Sequence, residues 1–239
     1  MTQGIHQLTA SMVNQLNRVD IVSNNLANAN TVGYKEESVS EGTFNHYLEK
    51  SLEEKRDVSK LSYIMNTIPK IDNKFLDTSI GSVVSTGNNL DIAITQQDKY
   101  FKIQLDSGEI QLTRDGEFKV LNGNLVTKNG DTVLNKENEP IAVNSDIFYQ
   151  NIAIVSSDIK NLEKSGNNNY KIKDSNELQD IENNREYILQ GSIEKSNVNT
   201  IKTMVQLIES QRKFEQAQKA ITGINDIDKK VITDVGAVR

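Results

Sequence analysis

The 239-residue chain has no cysteine, no tryptophan, two prolines and only 5% aromatic residues. Without cysteine there is no disulfide framework, no thiolate nucleophile and no cysteine-based metal site. Two kinds of chain fit that absence: a cytosolic protein that simply carries none, and one exported unfolded through a narrow channel that cannot pass a cross-link. Hydrophobic residues at 36% are lean for one compact core, so part of the apolar surface is expected to be buried against other chains. No apolar run approaches the roughly 18 residues of a transmembrane helix, and no membrane insertion is expected. The N-terminus lacks the basic region and apolar stretch of a conventional cleaved signal peptide. A net charge of −6 leaves no electrostatic footprint for nucleic acid or an anionic membrane.

Catalytic signatures are missing as well. There is no G-x-S-x-G, P-loop or dinucleotide-binding glycine pattern. His6 and His46 stand without a cysteine or a suitably spaced second histidine, as packing or surface residues do rather than metal ligands. Asp115 and Glu117 are carboxylates two apart, but Asp115-Gly116 reads as turn chemistry. No enzyme, cofactor or metal is expected.

The stretch that organises the chain is Asn24-Asn25-Leu26-Ala27-Asn28-Ala29-Asn30-Thr31-Val32-Gly33-Tyr34-Lys35. Asparagine competes for the backbone's own hydrogen bonds, and Asn and Gly tolerate the left-handed conformations that close helices. The composition predicts a helix that ends, turns sharply near Gly33 and leaves as a strand near Tyr34. Before it, Ile5, Leu8, Met12, Leu16 and Val19 form one helical face with an eleven-residue repeat. Between Met1 and Asn30 only Arg18 and Asp20 are charged. Neutral polar side chains suit a crowded helix assembly better than a solvated face.

Residues 36–80 read as an irregular connector with one short helix, a charge run at Glu49–Arg56, local anchors at Phe44, Tyr47, Leu48, Leu61, Ile64 and Ile68, and a stop at Pro69. From Gly81 the period changes to two. Leu90–Ile94, Tyr100–Leu105, Ile110–Thr113, Glu117–Val120 and Asn124–Thr127 read as strands, separated by Asp106-Ser107-Gly108, Asp115-Gly116, Asn122-Gly123 and Asn129-Gly130 turns that supply residues tolerant of positive φ. Residues 156–185 read as a polar, Asn-rich loop region, partly packed through Tyr170, Ile172, Leu178 and Ile181. Tyr187–Ile193 reads as one last strand. Beyond it, Ser196, Asn197 and Asn199 are N-cap candidates for a long helix that runs from Asn199 to about Ile232. Val198, Ile201, Val205 and Ile208 form its apolar seam, continued after an offset by Phe214, Ala217, Ile221, Ile224, Ile227 and Val231.

Two separated blocks resemble the flagellar axial proteins, the family of basal-body rod and hook subunits. One is "NNLANANTVGYK". The other runs from Ser196-Asn197-Val198-Asn199 through Met204-Val205 to Ile208, Gln211, Arg212, Phe214 and Glu215. The centre is similar too, in "TGNNLDIAI", "LTRDGEFKV" and "GNLVTKNGDTVL". It departs at Thr95-Gln96-Gln97-Asp98-Lys99, where the family usually has a glycine-containing turn.

The resemblance implies an α+β fold, with long N- and C-terminal helices forming a coiled-coil-like assembly domain (residues 1–35 and 197–239), a connector (36–80) and a central antiparallel β domain (81–196). It implies a structural subunit of the basal-body rod, polymerising helically into the hollow shaft that transmits torque to the hook. Its partners would be copies of itself, other rod subunits, hook protein and the flagellar type III export apparatus; its place would be the rod spanning the periplasm, reached without a cleaved signal peptide. The resemblance is slightly closer to the larger proximal-rod protein than to the distal-rod protein. Assembly residues would be Ile5, Leu8, Met12, Leu16, Val19, Asn24, Asn25, Leu26, Ala27, Asn28, Gly33 and Tyr34 at one end. At the other they would be Asn197, Val198, Ile201, Val205, Ile208, Gln211, Arg212, Phe214, Ile221 and Ile224. The alternatives are a hook or hook-cap type secreted protein and a cell-wall hydrolase associated with rod growth.

Overall fold

The structure, a computed structural model, describes residues 2–42, 70–144, 147–174, 178–181 and 184–236. Helix α1 (Thr2–Ala27) opens the chain and helix α2 (Thr200–Gly236) closes it, with an antiparallel β region between. Two compact units emerge. One holds Met1–Leu26, Glu37–Phe75 and Asn199–Arg239; the other holds Ala27–Glu36 and Leu76–Val198.

The β unit is built around β5 (Lys99–Gln104). One edge of β5 pairs with β6 (Ile110–Thr113). The other is shared between β9 (Thr132–Val133) and β10 (Ile154–Ser156), and β10 pairs in turn with β13 (Gln179–Asp180). Among the described residues the sheet extends through β12 (Asn169–Ile172) and β11 (Leu162–Gly166) on one side, and through β8 (Asn124–Val126) and β7 (Lys119–Leu121) on the other. Successive side chains of a strand point to opposite faces, so β5 feeds two cores. Phe101 and Ile103 pack with Ile92, Phe118, Leu125 and Val133, whereas Tyr100 packs with Leu112, Val155, Leu162 and Tyr170. Each core contains an edge-to-face aromatic pair: Phe101 with Phe118 at 5.1 Å and Tyr100 with Tyr170 at 5.5 Å between ring centroids. Burial raises the Tyr100 phenol to about 12, with Asp98 and Glu194 adding to the rise and Arg114 opposing it.

Asn122 and Gly123 both take positive φ, 53° and 84°, and close the β7–β8 hairpin with two residues as such a pair should. Gly116 differs from the expectation. It has no positive φ; a Cβ there would strike the Ile92 carbonyl oxygen. Its glycine is required by the approach of two backbones. The glycine-free turn before β5 is made possible by Asp98, which takes φ 55° itself.

Three further expectations are sharpened or corrected. The Asn-rich stretch packs through Tyr170, Ile172 and Leu178 as expected, and within it Leu162–Ile172 forms the β11–β12 hairpin rather than a loop. The single final strand is two. β14 (Ile188–Gln190) pairs with β4 (Ile92–Ile94), and β15 (Ser192–Glu194) pairs with β3 (Val83–Ser85), the switch being made at Gly191 with φ 72°. The connector begins and ends in order, as β1 (Glu37–Gly42) and β2 (Lys70–Leu76) form a two-stranded sheet. The connector features from Phe44 to Pro69, with His46, lie outside the described residues.

In the helical unit, Asn199 caps α2: its side-chain oxygen accepts the Lys202 N–H at 3.0 Å. The buried positions of α2 are Thr203, Ser210 and Ala217, with Leu207, Phe214, Ile221 and Ile224 half-buried between and beyond them. The seam expected from Ile201, Val205 and Ile208 is turned outward, and Ile201 is 75% exposed. The reason is that α2 carries apolar residues on two stripes, and the chain covers the one spaced by sevens. On α1 the buried residues are Asn14, Gln15, Ile21, Val22 and Asn25; Ile5, Leu8, Met12 and Val19 are half-buried and Leu16 is exposed.

Candidate functional site

The chain leaves α1 through a turn in which Thr31 donates both its N–H and its hydroxyl to Asn28. Asn25 clasps the strand that follows, its amide donating to the Glu37 carbonyl at 2.7 Å and its oxygen accepting the Glu37 N–H at 2.9 Å. Gly33 has φ 67°, and a Cβ would collide with the carbonyl of Arg114. Both the conformation and the contact exclude a side chain there. The Val32 carbonyl accepts from Asn168 at 2.9 Å, and the Gly33 N–H donates to the Glu194 carbonyl at 2.8 Å. Tyr34 is buried, with the Lys164 ammonium 4.0 Å from its ring centroid.

This seat closes over a buried cluster of three charges. Lys35 Nζ donates to Glu194 Oε1 at 2.7 Å, and Arg114 donates to Glu194 Oε2 from Nε at 2.9 Å and Nη2 at 2.6 Å. The Gly81 N–H adds a bond to Oε1 at 2.9 Å. The remaining donors of the cations go to backbone: Lys35 to the Ser79 carbonyl at 2.7 Å, and Arg114 Nη1 to the carbonyls of Gln96 and Lys99 at 2.7 and 2.6 Å. The carboxylate therefore receives four donors, and buried charge of this kind is tolerated only when so satisfied. Burial holds the Lys35 ammonium below its ordinary value; Arg114 adds to the depression and Glu194 opposes it.

The neighbouring motifs support this cluster. Asp115 pairs with Lys128 at 2.7 Å and accepts the Glu117 N–H. Asp91 accepts from the Thr86 hydroxyl at 2.6 Å and the Asn88 amide at 2.9 Å, which knits "TGNNLD" into one compact loop. Asn197 accepts the Glu36 N–H at 2.7 Å and donates to the Asp77 and Ser79 carbonyls. Thus Gly33, Tyr34, Asn197 and the buried Val198 sit within the β unit, whereas Ile201, Val205, Ile208, Gln211 and Arg212 lie on exposed positions of α2. Asn24 and Ala27 are exposed; Leu26 and Asn28 are half-buried.

Lys35, Arg114 and Glu194 were not singled out by chemistry from sequence. Two of them sit inside the resembling strings, but Glu194 lies 80 residues from Arg114 and 159 from Lys35, and no local pattern links them. What the arrangement does is fix three distant segments together through one carboxylate. Among the described residues no group of His, Asp or Glu is placed to hold a metal ion, and no helix is long and apolar enough to cross a membrane.

Three family models cover the parts of this construction. Residues 10–35 match "Flagella basal body rod protein", 93–160 match "Flagellar hook protein FlgE/F/G D1 domain" and 189–234 match "Flagellar basal body rod FlgEFG protein C-terminal". The flagellar hook-basal body complex protein FlhP of Bacillus subtilis is 30% identical, over 90% of this chain and 93% of its own. FlhO of the same species, also a flagellar hook-basal body complex protein, is 26% identical with both chains covered in full. The flagellar basal-body rod protein FlgF of Caulobacter vibrioides is 29% identical over 92% of each chain. With the signature turn, the β region and the C-terminal helix all matched in order, the chain belongs to the flagellar basal-body rod protein family.

Proposed function

We propose that the protein is a structural subunit of the bacterial flagellar rod, polymerising helically through its terminal helices into the shaft that carries torque to the hook. The observation that carries this reading is the face that α2 leaves open. Ile201, Met204, Val205 and Ile208 stand half or more exposed, and Ile227, Val231 and Ile232 continue the exposure toward the end of the helix. A helix that folded only onto its own domain would leave a polar face outward. The covered stripe through Thr203, Ser210 and Ala217 has the seven-residue spacing of coiled-coil packing; α1 is the natural occupant within the chain. The outer stripe is then the contact with neighbouring subunits, and the assembly residues named from the sequence divide between it and the signature seat.

In this reading the role is mechanical and involves no catalytic step. The partners are other copies, other rod subunits and hook protein, reached after export by the flagellar type III apparatus. A clean deletion should abolish swimming and leave basal bodies without a complete rod or external hook. Normal motility with intact hook-basal bodies in the deletion strain would overturn the reading.

A further inference from the structure

The seat of the signature segment depends on a residue near the far end of the chain. Lys35 and Arg114 share one pocket, with side chains 3% and 1% exposed, and Glu194 is the carboxylate that both of them bond. Each cation has backbone carbonyls as further partners, but carbonyls do not cancel charge. With Glu194 missing, seating Lys35 would bring a second ammonium-type charge beside a buried guanidinium in a region closed to water. Breaking a buried pair on one side leaves an uncompensated charge, which is the expensive case. Glu194 also contributes its backbone: its carbonyl accepts the Gly33 N–H, so the same residue holds the turn and neutralises the cluster. The chain leaves α1 six residues before Gly33 and starts α2 six residues after Glu194.

We propose that Glu194 is a completion latch, which makes the docking of Val32–Lys35 conditional on the arrival of strand β15. A chain made or delivered from its N-terminus has α1, the turn and most of the β sheet available long before residue 194. Until then the pocket around Arg114 rejects Lys35, and the segment after α1 stays unseated. Once β15 pairs with β3, the carboxylate enters, the turn closes, and the segments that follow α1 and precede α2 are fixed in the same step. The closed seat thereby reports that the whole β unit has been delivered. The latch is independent of which structure the subunit joins.

The test is hydrogen exchange on the full-length protein, comparing Glu194→Gln, Lys35→Met and the double variant with the parent. Glutamine keeps the shape and removes the charge. In Glu194→Gln, exchange at Gly33–Lys35 and at Gly81 should rise by roughly a hundredfold or more, while Ile92–Ile103 stays protected. Adding Lys35→Met should restore protection at Gly33, because one unbalanced cation has gone. Unchanged exchange at Gly33–Lys35 would overturn the latch. If Glu194→Gln does not fold, the double variant decides: a regained core with a closed Gly33 amide supports the latch, and failure to regain it overturns it.

Discussion

In the β unit Phe101, Ile103, Leu112 and Leu125 are fully buried, whereas on α2 Ile201, Val205 and Ile208 are at least half exposed. Burying such a side chain contributes about 1.5–3 kcal/mol. The β unit realises that contribution within one chain, on both faces of β5. The helical unit realises part of it and leaves the remainder to association. Ordering each backbone residue costs about 1–2 kcal/mol, and two helices with half-filled faces do little to offset it alone. The difference teaches that one chain combines a part that is finished by folding with a part that is finished by assembly, and that the buried Glu194 seat ties the segments flanking both helices to the finished part.

The largest expected effect comes from Gly33→Val. The substitution puts a β-branched side chain at φ 67° and drives its Cβ into the Arg114 carbonyl. Strain of about 1–3 kcal/mol falls on the turn, so the segment after α1 should unseat and complementation of motility should fail. The melting of the β core should change much less. Wild-type swimming would show that the closed turn is not needed for assembly.

A sharper comparison comes from the outward stripe of α2. Val205→Glu and Ile208→Glu change side chains that are each half exposed, so the melting temperature of the monomer should barely move, within about 0.5 kcal/mol. Polymerisation and motility should nevertheless be lost. A variant that assembles normally would place the intersubunit contact elsewhere. A variant that unfolds the monomer would show that the stripe is covered within the chain.

A smaller effect concerns Tyr100 alone. Burial pushes its phenol from 10.0 up to about 12, so the native state favours the neutral form. The resulting stability is complete below about pH 10 and is lost as the pH climbs toward 12. Ultraviolet titration should show a late phenolate step that Tyr100→Phe removes, and denaturant midpoints should fall across the same window. Ionisation of Tyr100 at the ordinary value, with the core intact, would contradict its packing against Tyr170.

Much of this architecture was legible in the sequence where the cause is local. Period-two runs located β4 to β8 to within a few residues, Asn199 was one of three cap candidates at the start of α2, and the Asn-rich string with Gly33 marked the end of α1. What escaped is non-local. Tyr170 reads as a packing residue, but the pairing of β11 with β12 and of β12 with β6 does not show in so polar a stretch, and Gly116 looks like a turn residue until the Ile92 carbonyl stands beside it. Which stripe of α2 faces inward could not be read, because Ile201, Val205 and Ile208 are as apolar as Leu207, Phe214 and Ile221. The cluster of Lys35, Arg114 and Glu194 joins three distant segments, and a lone glutamate at the end of a short strand gives no sign of it.

The most direct test of the division between the two units is amide hydrogen exchange on a verified monomer. The account predicts strong protection in β4, β5 and β6 and markedly weaker protection in α1 and α2, with protection of both helices rising on polymerisation. Equal protection of the helices and the β core in the monomer would contradict it, because the outward stripe of α2 would then already have its partner within the chain.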